Sequence, residues 1–305
     1  MDKLDDRVSA WLVYGALVAV QVFFGLNYLA AKVVLRELEP QALAVLRVVG
    51  AAIVLWLVAR ATGRRLPSKP ADLGRLALYA IFGVVLNQVL FIEGLSRTTP
   101  THSSLINTTI PVVTLLLAVL AGREAYRARK LMAPLLAMIG VVLVIRPDVA
   151  GLIGSTVLGD LLTLSNATSF SLFLVLSKPL LARTDALGAT TVLFFFGAFG
   201  IGLIGLPEIL AADLGAVSLT SWGLMLYIVV FPTAVAYLLQ YWALAKVDSS
   251  VVAFFIYLQP LVATTLSILF FDERPALSVY LGGALIFAAV YVALHRNRPD
   301  RGGQP

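Results

Sequence analysis

The chain of 305 residues has no cysteine and only two histidines, His102 and His295. Disulfides, thiol nucleophiles and cysteine metal sites are excluded, and two histidines are too few for a histidine metal cluster. Charge is scarce as well. Asp, Glu, Lys and Arg make up 13% of the residues, where a soluble domain needs roughly a quarter. With 60% apolar residues and a mean hydropathy of +0.93, the solvent for most of the chain must be lipid. No nucleophile–base pair, H-E-x-x-H helix or phosphate-binding glycine loop occurs, so nothing points to enzymatic chemistry or to a bound cofactor. The net charge of +6 comes from lysines and arginines placed between apolar runs. They form no basic stripe, which argues against nucleic acid as a partner.

What is present is length. A hydrocarbon core of about 30 Å needs about 20 apolar residues per helix. Breaks at Gly, Pro and charge clusters cut the chain into ten such stretches, at 11–31, 41–60, 75–95, 101–121, 130–146, 157–181, 187–206, 221–244, 249–271 and 276–294. This predicts an all-α polytopic membrane protein. The charged segment 1–10 followed by a full-length span, with no small-residue cleavage site, reads as a retained first helix. If the N-terminus lies inside, Lys32, Arg36, Arg97, Arg146 and Arg274 face outward and Arg47 lies within a span; the remaining 17 of the 23 basic residues are cytoplasmic. The positive-inside rule then puts both termini in the cytoplasm of a bacterial inner membrane, with 295–305 as a cytoplasmic tail.

The chain also repeats itself. At an offset of 149, Leu95 meets Leu244, Arg97 meets Lys246, Pro111 meets Pro260, Leu117 meets Leu266, Glu124 meets Glu273 and Val141 meets Val290. At 146, Phe24 meets Phe170 and Lys32 meets Lys178. A mid-helix proline followed by an acid at the helix end, twice, defines two units, 10–146 and 156–294. Each holds five predicted helices, an odd number, so the second unit must enter the membrane inverted. Inverted repeats characterise secondary transporters, with the site near the midplane where the halves meet.

Polar side chains in hydrocarbon are either interhelical glue or the lining of a wet cavity. Ser104, Asn107, Thr108 and Pro111 fall on one helical stripe, and Thr233, Tyr237, Gln240 and Tyr241 on a second. The sixth span adds Ser165, Asn166, Thr168, Ser169 and Ser171, the third Asn87 and Gln88, and the ninth Tyr257 and Gln259. Asn87, Gln88, Thr108, Ser169 and Gln259 fall nearest the midplane and are expected to share a cavity. Pro111 and Pro260 each free a carbonyl, as kinks of structural or functional use. Arg47, inside the second span, is expected to pair with Glu93, to snorkel outward, or to lie beneath the cavity. Glu93 and His102 are the titratable groups available for proton coupling. Trp11 and Trp222 look like interface residues, whereas Tyr237, Tyr241, Trp242 and Tyr257 offer ring faces to a ligand.

Several of these motifs are familiar together. Asn87-Gln88-Val89-Leu90-Phe91, Gly94-Leu95, and the run from Thr98 through Asn107 and Pro111 to Gly122-Arg123-Glu124 resemble the EamA repeat of the drug/metabolite transporter superfamily. Tyr241-Trp242-Ala243-Leu244, Ser249 to Ala253, Gln259-Pro260, Phe271-Asp272-Glu273-Arg274 and Gly282-Gly283 resemble it again. Phe24-Gly25 with Asn27 and Lys32, then Pro40 to Arg47, is similar to the family's first two helices. The resemblance implies ten helices, inverted halves, a central cavity that Asn27 would join, and export of amino acids or other small metabolites. Many members carry tryptophan where this chain has Phe24, and Ser171 stands opposite Gly25, so one member's aromatic lining does not transfer.

The expected activity is therefore export of amino acids or similar small polar metabolites by alternating access. The expected partners are that substrate and the lipid bilayer, with either a monomer or a homodimer compatible. Two alternatives stay open at this point. One is an exporter of drugs or lipophilic cations, for which a membrane-embedded carboxylate is expected. The other is a scaffold or receptor that transports nothing.

Overall fold

The computed structural model describes residues 5–122, the helical positions 136, 139, 140 and 143, and residues 155–294. The expected span at 130–146 and the tail at 295–305 therefore lie outside the described residues, apart from those four positions. Eight helical stretches are long and apolar enough to cross a membrane, with a shorter apolar helix at Leu277–Ala288.

The helices are α1 (Asp5–Val34), α2 (Pro40–Ala61), α3 (Pro70–Ala80), α4 (Leu86–Arg97), α5 (Pro100–Asn107) and α6 (Ile110–Leu120), followed by α7 (Ser155–Leu181) and α8 (Ala186–Ala211). Then come α9 (Leu219–Ile228), α10 (Ala236–Leu244), α11 (Ser249–Phe254), α12 (Leu258–Phe271) and α13 (Leu277–Leu294). Proline stands in the first turn of α2, α3, α5 and α6, where its missing N–H has no intrahelical partner to lose. The side chains of Thr99, Asp185 and Ser218 cap α5, α8 and α9 by accepting from His102 N, Gly188 N and Ser221 N.

Two spans change winding part-way. Between α3 and α4 lies a π-helical segment, Ile81–Val85, and between α9 and α10 another, Val229–Val235. Adding the repeat offset of 149 to 81 and 85 gives 230 and 234, which fall inside the second segment, so the feature is duplicated with the repeat. Two further spans are broken. The fourth turns at Thr108 and Thr109 between α5 and α6, and the ninth passes through a 3-10 turn, Phe255–Tyr257, between α11 and α12. Pro111 and Pro260 thus lie in the first turn of a second helical piece, after each break rather than at a kink in a continuous helix. At these breaks Tyr257 OH donates to Thr108 O (3.2 Å) and Ser171 Oγ to Ile110 O (3.2 Å), which satisfies carbonyls inside the protein.

The inversion can be read from the contacts. Lys32 Nζ, near the carboxyl end of α1, donates to the carbonyls of Leu95 (2.7 Å), Ser96 (3.2 Å) and Thr98 (2.6 Å), so α1 and α4 end on the same side. Asp160, at the start of α7, is bonded to Thr98 and His102 on that side. Arg183, just past the end of α7, pairs with Asp72 at the start of α3. Hence α7, the first helix of the second half, runs opposite to α1, the first helix of the first. The equivalent lysine, Lys178, pairs with Asp248 before α11 at the other end.

Packing between the halves depends on small residues, because lipid tails remove the hydrophobic drive between helices. The backbones of α4 and α7 meet at Gly94 and Gly159, where a Cβ on either would lie 2.9 or 2.8 Å from the other's carbonyl oxygen.

Candidate functional site

Where α1, α2, α4, α5, α7, α10 and α12 converge, they line a small cavity of about 60 Å³. Its polar lining is Asn27, Tyr28, Arg47, Asn87, Gln88, Asn107, Asn166, Tyr237, Gln240 and Gln259, with Phe24, Phe91 and Phe170 among the apolar residues. Both halves contribute.

Two hydrogen-bonded chains order this lining. Tyr28 OH donates to Gln259 Oε1 (3.0 Å), Gln259 Nε2 donates to Gln21 Oε1 (2.6 Å), and Asn107 Nδ2 donates to Tyr28 OH (2.7 Å). Because the phenol has one proton and gives it to Gln259, it can only accept from Asn107. In the second chain Tyr237 OH donates to Asn87 Oδ1 (2.6 Å) and accepts from Gln88 Nε2 (2.5 Å). Asn166 Nδ2 fixes the helix behind it by donating to Asn87 O (2.7 Å). The direction of each chain leaves Asn107 Oδ1 and Gln88 Oε1 with no hydrogen-bond partner, and Asn27 Oδ1 and both amide atoms of Gln240 also have none. Buried polar groups are normally paired, so this cluster of spare groups, mostly acceptors, lies where a ligand or water would satisfy it.

The structure brings together Asn27, Arg47, Asn87, Gln88, Asn107, Tyr237, Gln240 and Gln259. Four residues expected beside them are not in the lining. Thr108 Oγ1 turns back onto Leu105 O within its own helix, and Ser169 Oγ donates to Phe82 O at the π segment (2.9 Å). Tyr257 is used at the Thr108 break, and the Tyr241 ring packs on Phe173 and Tyr237. In each case the side chain is directed away from the cavity or used in packing between helices.

Of the placements expected for Arg47, the pairing with Glu93 is not formed, while Arg47 does line the cavity. Glu93 is held by Arg97 and by Gln41 Nε2 (2.6 Å), not by Arg47. Arg47 is 1% exposed. Its Nε (3.2 Å) and Nη2 (3.0 Å) both donate to Thr233 Oγ1 in the π segment of the second half.

The sequence profile of the EamA-like transporter family matches residues 11–146 and, a second time, 157–294. The chain belongs to that family. Among curated proteins, "Uncharacterized transporter YetK" of Bacillus subtilis is 24% identical over 94% of this chain and 88% of its own length. An "Uncharacterized transporter" of Archaeoglobus fulgidus is 27% identical, over 87% and 91%. The Arabidopsis thaliana "WAT1-related protein At4g30420" is 26% identical, over 73% and 67%. A solved crystal structure superposes with a TM-score of 0.65 at 19% identity, covering 94% of this chain and 96% of that one. The fold is thus that of known structures.

In this EamA-like chain the two ends of the helical bundle differ. At the α4–α5 end, Asp160 is fully buried and accepts from Thr98 Oγ1, while its other oxygen lies 3.0 Å from His102 Nδ1. The Gly94–Gly159 contact seals the same end. Near the start of α1, a crevice of about 1250 Å³ opens between the halves, with Trp11, Gly15, Arg64, Asp185, Leu239 and Trp242 in its walls. His102 is thus the partner of a buried carboxylate. Sequence reasoning missed Asp160, which looks like an interfacial acid, and Tyr28, which lies beside Asn27 without any periodic signal.

Proposed function

We propose that this protein is a secondary transporter that exports amino acids or similar small polar metabolites by alternating access of its inverted halves. The observation that carries this is the mostly neutral polar cavity on the seam between the halves, lined from both and rich in unsatisfied amide groups. Family membership supports transport. The amide lining supports a small polar cargo, because such groups complement hydrogen-bonding solutes and waste desolvation on apolar ones. In this reading the α4–α5 end is extracellular and shut, the crevice faces the cytoplasm with both termini, and the exchange of these states moves the cargo out.

A carrier of lipophilic cations is disfavoured because none of the lining residues is acidic. The test is efflux from vesicles preloaded with radiolabelled amino acids, compared with vesicles lacking the protein. Release that matches the empty vesicles for every amino acid, beside uptake of a lipophilic cation such as tetraphenylphosphonium, would reverse the assignment. A reporter active only outside the cytoplasm, fused after residue 305, should stay silent; a signal would invert the orientation.

A further inference from the structure

Arg47 is the one charged residue in the cavity lining. Thr233 Oγ1 gives its own proton to Ile228 O (2.6 Å), so it serves as a pure acceptor for Arg47 Nε and Nη2. Nη1 has no partner at all. The part-buried Glu93 is engaged with Arg97 and Gln41, and the buried acids Asp160 and Asp72 with Thr98 and His102 and with Arg183. Among the described residues Arg47 therefore has no counter-ion. An uncompensated buried cation is heavily unfavourable in a membrane interior, so a binding anion would remove a standing penalty. Both hydrogens of Nη1 and the second hydrogen of Nη2 remain available, which is the fork that receives a carboxylate bidentately.

Most of the other spare groups in the lining have the opposite polarity. Asn107 Oδ1, Gln88 Oε1, Asn27 Oδ1 and Gln240 Oε1 are acceptors without donors, with Gln240 Nε2 the one spare donor beside Arg47, and the direction of the two tyrosine chains fixes the first two as oxygens. A ligand that fits both must present an anion to Arg47 and N–H or O–H donors to the amides.

We propose that Arg47 is the carboxylate receptor of the transport site, so that the cargo is a small monocarboxylate bearing N–H or O–H donors, as α-amino acids do, and organic cations lacking a carboxylate are rejected. This rests on the transport function proposed above and adds the group by which cargo is chosen. A structural role, in which Arg47 only ties α2 to Thr233, makes no such demand on ligand charge.

The test uses the purified full-length protein and thermal stabilisation by the standard L-amino acids, each compared with its carboxamide, which keeps the ammonium group and lacks the carboxylate. At least one amino acid should stabilise, and its amide should need at least about a tenfold higher concentration for the same shift, as expected when one charge-assisted bond is lost. Arg47→Gln should erase the difference between acid and amide, and Arg47→Lys should keep part of it. If the glutamine variant does not fold, the comparison in the unmodified protein decides alone. Equal stabilisation by acid and amide there overturns the proposal while leaving amino-acid transport standing. Failure of every amino acid both to stabilise and to be released from vesicles removes the function and the proposal together.

Discussion

Gln88 and Tyr237 share a hydrogen bond of 2.5 Å and stand 149 positions apart, the same interval at which the two halves of the chain align. Tyr257 and Thr108, bonded at 3.2 Å, are also 149 apart. A residue that touches its own repeat mate must lie beside the axis relating the repeats, so these two contacts mark a pseudo-twofold axis through the cavity. Since the halves are inverted, that axis lies in the membrane plane. The repeat has diverged where it meets itself. An amide on one side and a phenol on the other form the hydrogen bond across the axis.

Coupling across the axis is measurable. Tyr237→Phe removes the donor to Asn87 Oδ1 and the acceptor for Gln88 Nε2, leaving two buried amides short of partners, a loss of about 1–3 kcal/mol. Adding Gln88→Leu should cost less than the sum of the two single changes, with a coupling of about 0.5–3 kcal/mol in a double-mutant cycle of unfolding in detergent. Simple additivity would mean that the two halves are not joined through this pair.

The same axis shows what the sequence could and could not disclose. The all-helical, membrane-spanning class was legible because apolar run length is a property of the chain itself. The polar residues that would line a cavity were legible too, and Asn87, Gln88, Asn107 and Gln259 meet in one. Azimuth was not. Arg47 and Glu93 lie on neighbouring spans toward the same side, yet α2 turns Arg47 toward Thr233. The π segments at Ile81–Val85 and Val229–Val235 leave no compositional mark, since one extra residue per turn changes register and not residue type. Each such segment rotates everything beyond it, which undermines prediction of facing direction for Tyr241 and its neighbours.

Asp160 should act as the latch of the shut end. Its two oxygens hold Thr98 and His102 across the junction of the halves. Asp160→Asn keeps an acceptor for Thr98 and discards the charge, so it should loosen that end without unfolding the protein. The native chain has no cysteine, so a single introduced thiol reports cleanly. At Ser103, buried beside Thr163, a cysteine should resist membrane-impermeant maleimide in the native background and react several-fold faster with Asp160→Asn. Equal rates would show that the carboxylate is no latch.

A second tie on this side responds to pH. Glu37, in the loop after α1, accepts from Ser218 N (2.7 Å) and Ser218 Oγ (2.8 Å) at the start of α9. These bonds favour the charged carboxylate and hold its pKa below the ordinary 4.5. The sign follows from linkage: a depressed folded pKa gives stability that is present above the unfolded value and is lost as pH falls through the folded one. Acidification below about 4.5 should therefore release this loop. Hydrogen exchange at the Ser218 amide should quicken on acidification relative to the intrinsic rate, and Glu37→Gln should show the quickened exchange already at neutral pH. No difference between the two proteins would detach the loop from Glu37.

The π segment of the first half depends on one close approach. At Gly83 an added Cβ would lie 2.3 Å from the ring of Phe173 on α7, far inside van der Waals contact, and the ring is fully buried against Phe170 and Tyr241. Gly83→Ala therefore forces either the ring or the segment to move, an overpacking loss of about 1–3 kcal/mol. Because Tyr237 packs on Phe170 and Tyr241, ring displacement should propagate to the cavity wall and weaken ligand binding as well as stability. Trimming the ring with Phe173→Leu in the same protein makes room for the methyl group. It should recover part of the stability lost in Gly83→Ala, although Phe173→Leu alone is destabilising by its own cavity. A double variant less stable than the sum of its parts would mean that Gly83 is needed for its backbone freedom within the π turn and not for the space it leaves to Phe173.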